Sequence, residues 1–228
     1  RLILGLLVHS KEKIKLIGDK SLSKRDFSRV VLPLKKFGAK FFSKNLNKLP
    51  LTIEGSNRSV PIKYIEDKGS AQCKSSVMLA ALNTNGETII KAKKSRNHTE
   101  LLFKHLKIPI KLKKKKNYDL IKVKGGKEFK SFNYTIPSDI SSSAFFIVLT
   151  ALSKKSKLLI RNINVNPSRV GIIKILSKMG VNISLRNKKN YKGEKIADIY
   201  VESSKNLKAI NCPANLNSSA IDEFLIIF

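Results

Sequence analysis

A mixed α/β class follows from three features of the sequence. One order of elements recurs with a period of about 70 residues, the mark of a repeated supersecondary unit. Apolar residues fall at i, i+3 and i+4 in some stretches and alternate in others, so helices and strands are both present. With 42% hydrophobic residues among 228, the chain carries enough apolar surface for one large core or two smaller ones.

The elements follow in order. The first copy reads as an apolar helix from Leu2 to Val8, a charged turn at Lys11-Glu12-Lys13 and a strand from Ile14 to Ile17. The second repeats this through Val77 to Leu82, Asn85-Gly86-Glu87 and Thr88 to Ile90. The third does so through Phe145 to Leu152, Lys154 to Lys157 and Leu158 to Ile160. A second helix follows each strand: Val30 to Gly38, Leu101 to Lys107 and Gly171 to Gly180. Each has an inward apolar stripe, and Gly38 and Gly180 take the stop position, where a residue without Cβ accepts a positive φ. Two strands close each copy: Ala39 to Ser43 with Leu51 to Glu54, Ile108 to Leu112 with Leu120 to Val123, and Val181 to Leu185 with Ile199 to Val201. The unit is helix, strand, helix, strand, strand. One such unit does not bury its own faces, so several pack around a shared interior. An extended, Pro-containing segment from Ser131 to Asp139 follows Gly125-Gly126, and a domain crossing is expected there, giving domains 1–136 and 137–228.

The formal net charge is +30, from 46 Lys and Arg against 16 Asp and Glu. Such a balance attracts nucleic acid, anionic membrane surfaces or anionic small molecules. The cations are mostly Lys and lie along the whole chain, a compositional bias of solvated faces; the densest run, Lys111 to Lys116, is expected at a turn. Cys73 and Cys212 are too few for a disulfide framework, so a reducing, cytoplasmic compartment is expected. No apolar run reaches the roughly 18 residues that span a bilayer, and no membrane association is expected. The chain starts on Arg1 and stops inside an apolar run, so it is expected to be an internal piece of a longer protein.

Two helix starts are oversupplied with hydrogen-bonding groups. Gly69 to Ser76 carries Ser70, Gln72, Ser75 and Ser76 before an apolar run, and Ser138 to Ala144 carries a similar set. One Ser suffices for a cap. The free N–H groups and positive dipole of a helix start favour anions, and the extra side chains add directional donors. The loops Gly18 to Arg25, Lys91 to His98 and Asn162 to Arg169 follow equivalent strands, and all contain Ser and Arg. Arg grips phosphate or carboxylate with a bidentate fork; the alternative is that each Arg pairs with a carboxylate of the protein. Asp222 opens the last apolar run and is either a cap or a general base facing cations. His9, His98 and His105 lack metal-ligand spacing, and no GxGxxG, GxxxxGK[ST] or GxSxG occurs, which removes support for dinucleotide, P-loop and α/β-hydrolase chemistry.

Taken in order and spacing, these stretches resemble the EPSP synthase family, the 3-phosphoshikimate 1-carboxyvinyltransferases. The resemblance runs almost end to end: Arg1 to Leu7, Gly18 to Arg25, Leu49 to Gly55, Gly69 to Ser76, Ser95 to Glu100, Ser138 to Phe146, Asn166 to Arg169 and Ile221 to Phe224. It implies a two-domain, inside-out α/β fold of enolpyruvyl transferase type, built from βαβαββ-type units and incomplete here. By position it implies that Ser70, Ala71 and Gln72 hold shikimate 3-phosphate, with Gln72 also near phosphoenolpyruvate. Ser95 and Arg96 fall where the family contacts the shikimate phosphate, Arg25 matches an arginine on phosphoenolpyruvate, and Asp222 matches a carboxylate on the shikimate hydroxyls that accepts a proton. The implied reaction adds the shikimate 5-hydroxyl to the central carbon of phosphoenolpyruvate and then expels phosphate, with no cofactor and no metal; the implied full-length protein is a monomer. The family's early Lys-Ser motif and its later Lys-Glu-Ser-Asp-Arg motif are not among these 228 residues, so this chain alone is expected to lack activity.

Two other readings compete. UDP-N-acetylglucosamine enolpyruvyl transferase shares the reaction type but uses a reactive Cys in a Gly- and Arg-containing loop, whereas Cys73 stands in a helix start and Cys212 precedes Pro213. A basic nucleic-acid-binding protein would account for the charge, but aromatics are only 7% and do not interleave with the basic runs, so no specific nucleic-acid partner is expected.

Overall fold

The computed structural model describes residues 1–44 and 47–227. The chain divides into two compact units, Arg1–Lys130 and Ser131–Phe228.

The first unit holds two copies of the repeat. In the first copy the helices are α1 (Ile3–Leu7), α2 (Lys20–Ser23) and α3 (Ser28–Lys36), and the strands are β1 (Lys13–Leu16), β2 (Lys40–Phe42) and β3 (Leu51–Glu54). The strands form an antiparallel sheet in the order β1-β3-β2. A further strand, β4 (Lys63–Glu66), precedes the second copy, which runs α4 (Ala71–Ala81), β5 (Gly86–Lys93), α5 (His98–His105), β6 (Ile110–Lys114) and β7 (Tyr118–Gly125). Its sheet has the order β4-β5-β7-β6, with β4 parallel to β5 and the other pairs antiparallel. The β4-α4-β5 crossover is therefore a βαβ unit.

The second unit holds the third copy: α6 (Ile140–Leu152), β8 (Lys157–Asn164), α7 (Gly171–Lys178), β9 (Asn182–Tyr191) and β10 (Glu194–Glu202). A 3₁₀ turn (Ala214–Leu216), α8 (Asn217–Ala220) and α9 (Phe224–Ile227) follow. Its sheet is antiparallel, in the order β8-β10-β9. In every copy the last strand lies between the other two, so the repeat read from the sequence is a repeat of topology. The parallel partner recurs in reduced form. Ser138 makes a single parallel bridge to Ile163 on β8, the place that β4 takes beside β5.

The apolar stripes face inward as the spacing requires. On α3, Val30, Val31 and Leu34 are buried; on α6, Ile140, Ala144, Ile147 and Ala151 are. Each large aliphatic side chain so buried contributes about 1.5–3 kcal/mol. Along α4 nearly every residue is buried, polar ones included. Its neighbour α1 approaches so closely that a Cβ on Gly5 would sit 2.1 Å from the Ser76 carbonyl oxygen. Gly38 (φ 106°) and Gly180 (φ 93°) take the positive φ expected at helix stops, and Lys107 (φ 56°) does so at the end of α5. On the outer side of α6, Phe145, Phe146, Leu149 and Leu152 are exposed.

The structure corrects several expectations. β4 and α2 were not expected, because Lys63-Tyr64-Ile65-Glu66 turns only its glutamate fully inward and α2 is a single turn with no buried residue. The run Lys111 to Lys116 is not a turn throughout: Lys111–Lys114 belong to β6, and the Lys115 N–H donates to the Tyr118 carbonyl at 2.9 Å where the hairpin closes. Lys91 to Lys93 likewise belong to β5 and not to the following loop. The helix beginning at Ala71 starts well before the apolar run at Val77, which puts Ser75 and Ser76 inside it.

Candidate active site

The loop from β4 to α4 is fixed by Glu66, buried at the strand end. Its carboxylate accepts from the N–H groups of Lys68 (3.2 Å) and Ser70 (2.9 Å) and meets the Arg29 guanidinium at 3.5 Å. Gly69, at φ 72°, supplies the left-handed turn between them. Ser70 is then set as the N-cap of α4, its Oγ accepting from the Cys73 N–H at 3.3 Å. The neighbouring residues Ala71 and Gln72 form the first turn, where the helix dipole and uncommitted N–H groups favour an anion.

One turn further, Lys74 is 1% exposed and its Nζ lies 2.6 Å from Oε1 of the equally buried Glu100. The same ammonium donates to the Arg96 carbonyl at 2.8 Å. Thr99 Oγ1 donates to Ser75 Oγ at 2.7 Å. The loop between β5 and α5, which carries Ser95 and Arg96, is therefore clamped to α4. Ser95 Oγ is buried and has no hydrogen-bond partner among the described residues. A buried hydroxyl left without a partner is costly, and a water or a ligand group that reached it would relieve that cost.

Arg25 ends the loop that contains α2 and is exposed, with no ion pair among the described residues. Arg1 joins this loop to α4: one guanidinium nitrogen donates to the Asp26 carbonyl at 2.8 Å and the other to Gln72 Oε1 at 3.4 Å, with the group 5.5 Å from the Phe27 ring centroid. Asp26 is held below the ordinary carboxylate range by hydrogen bonds from the Ser28 hydroxyl and N–H, with Arg1 adding to them. Within the first unit, Ser70, Ala71, Gln72, Ser95 and Arg96 thus share one helix and the loop fastened to it, and Arg1 ties in the segment next to Arg25. Arg1, Lys74 and Glu100 were not among the expected site residues. Lys74 stood in the helix-start stretch, but nothing in the sequence signalled that its partner was Glu100.

In the second unit, Asp139 caps α6, accepting from the Ser142 N–H at 2.9 Å. Arg169 pairs with Asp139 Oδ1 at 3.0 Å and donates to Ser141 Oγ at 2.6 Å; Ser141 in turn donates to the buried Glu223. Burial pushes the Asp139 carboxyl up, but the Ser142 N–H and Arg169 outweigh it and leave the group below its ordinary value. Arg169 is thus paired with a carboxylate of the protein. Asp222, next to Glu223, lies exposed in the turn between α8 and α9. Among the described residues, no group of three or more His, Cys, Asp or Glu gathers to hold a metal, and no helix is long and apolar enough to cross a membrane.

Comparison with known proteins matches residues 1–227 to the family described as EPSP synthase (3-phosphoshikimate 1-carboxyvinyltransferase). Among curated proteins, the chain is 44% identical over its whole length to a 3-phosphoshikimate 1-carboxyvinyltransferase of Ruthia magnifica and 40% identical to one of Hydrogenovibrio crunogenus. It covers 51% and 52% of those relatives, so it spans about half the length of the curated proteins it matches. Among solved structures, EPSP synthase from Acinetobacter baumannii superposes with a TM-score of 0.85 at 35% identity, over 99% of this chain and 50% of that one.

Proposed function

Because this chain belongs to the EPSP synthase family, we propose that it supplies part of an enzyme that transfers the carboxyvinyl group of phosphoenolpyruvate to the 5-hydroxyl of shikimate 3-phosphate. The hydroxyl oxygen bonds to the central carbon of phosphoenolpyruvate as the C=C bond opens and the methylene carbon gains a proton, giving a tetrahedral intermediate; loss of a methyl proton together with inorganic phosphate then restores the double bond. In this reading Ser70, Ala71, Gln72, Ser95 and Arg96 hold shikimate 3-phosphate. Arg25 and Gln72 hold phosphoenolpyruvate, and Asp222 orients the shikimate hydroxyls and accepts a proton. Residues 1–136 are then most of one domain and 137–228 part of the second, in a monomeric cytoplasmic enzyme.

The observation that carries the reading is the buried, unpartnered Ser95 hydroxyl on a loop clamped to the helix that Ser70 caps. Both substrates are anions, so binding them together requires donors and positive ends in place beforehand. Ser70, the α4 N-terminus and Arg25 supply such groups. The test is phosphate release from phosphoenolpyruvate by the gene product that contains this chain. Release is expected with shikimate 3-phosphate and not with UDP-N-acetylglucosamine; the reverse dependence would overturn the reading.

A further inference from the structure

We propose that Lys74 is a positioning residue, whose buried ammonium holds the Ser95–Arg96 loop at a fixed distance from the first turn of α4. This deepens the substrate reading above and rests on it only for the identity of the ligand. Three observations carry the proposal. Lys74 and Glu100 are 1% and 2% exposed at their side chains, and Nζ lies 2.6 Å from Oε1. Removing two charges from water costs about what their attraction returns, so a buried pair of this kind is poorly explained by stability alone. The same Nζ donates to the Arg96 carbonyl at 2.8 Å, a contact an apolar side chain has no means of making. Finally, the Lys74 N–H donates to the Ser70 carbonyl at 3.1 Å, so the anchor stands one helical turn below the cap, on the same face. One side chain thereby links the two segments that carry Ser70 and Ser95.

The geometry also says what Glu100 does. It sits in the first turn of α5, and its carboxylate offsets the charge of the buried ammonium, while the contact to the Arg96 carbonyl is made by Lys74 itself. The hydroxyl pair Thr99–Ser75, at 2.7 Å, is a second and weaker tie between the same elements.

The experiment compares the 228-residue chain with Lys74→Met and with the double variant Lys74→Met/Glu100→Met, which leaves no unpaired buried charge. Three quantities are read: the denaturation midpoint, amide hydrogen exchange at Ser95, Arg96 and Asn97 without ligand, and the affinity for shikimate 3-phosphate. The double variant is expected to keep its midpoint while exchange at these three amides rises at least tenfold and affinity falls at least fivefold; exchange at Ile121 and Val123 in β7 stays unchanged. Unchanged loop exchange in a folded double variant overturns the proposal. So does a rise spread evenly to β7, which is the mark of a role in general stability. Should the double variant not fold, Glu100→Gln decides. It keeps the Lys74 contact to the Arg96 carbonyl, so loop exchange within about threefold of wild type supports the proposal and a tenfold rise overturns it. A wild-type chain that ignores shikimate 3-phosphate counts against the substrate reading, and the ligand-free exchange still decides the role of Lys74.

Discussion

Ser95 shows how a single side chain separates binding from folding. Its Oγ is buried without a partner, so replacing it with Ala removes an unmet polar group at no structural loss. Ser95→Ala is expected to leave the thermal midpoint unchanged or slightly raised, while affinity for shikimate 3-phosphate drops about tenfold, the weight of a hydrogen bond to a charged group. Calorimetry on the two proteins checks both. Asp139 gives the opposite case, a group that serves the fold. Its carboxyl is held below the ordinary value, so its stabilisation is complete above the unfolded pKa of about 3.9 and is lost as pH falls through the lower folded value. Asp139→Asn is expected to cost about 0.5–1 kcal/mol at pH 7, a figure reduced for the solvent exposure of the pair, and progressively less as the pH is lowered towards 2. Denaturant titrations at both pH values check this. The sequence marked Ser70 and Ser95 because polar groups crowd a helix start and a strand end. It did not mark Glu100, since an acid near the start of a helix reads equally well as a dipole partner. Only the fold brings α4 and α5 together to bury it against Lys74.

At the level of elements, the three copies were legible because helical stripes and alternating strands obey simple periods, and because Gly38 and Gly180 end two of the second helices. The third such helix, α5, ends on Lys107 with the same left-handed backbone at φ 56°. A side chain there strains against its own carbonyl, and glycine does not. Lys107→Gly is expected to stabilise the chain by about 0.5–1 kcal/mol, seen as a rise in denaturation midpoint with an unchanged slope. A loss of stability would mean that the Lys107 side chain contributes more than its backbone costs. What stayed illegible was β4, whose inward residue is the charged Glu66, and the true start of α4, whose inward residues Lys74, Ser75 and Ser76 are polar. Reading polar residues as outward-facing fails where a buried helix start is satisfied by neighbouring loops.

For the whole molecule, the family match from residue 1 to 227 and the recurrent strand order account for the fold, and the chain spans about half the length of its curated relatives. The charge of +30 had two readings, and Lys91 and Lys93 on β5 and Lys111, Lys113 and Lys114 on β6 take exposed positions of sheet strands. Lys111 on β6 stands opposite Lys122 on β7, and the Glu87 carboxylate on β5, 2.8 Å from the Lys122 ammonium, offsets this pair of like charges. The α4 start and the loop fastened to it are the proposed site for a phosphorylated shikimate. The most direct measurement is an amide-shift titration of the 228-residue chain with shikimate 3-phosphate, and separately with UDP-N-acetylglucosamine. Saturable shifts are expected at Ser70 to Gln72 and at Ser95 and Arg96 with the first ligand only. Shifts scattered over the lysine-rich strands, equal for both ligands and abolished by moderate salt, would contradict it.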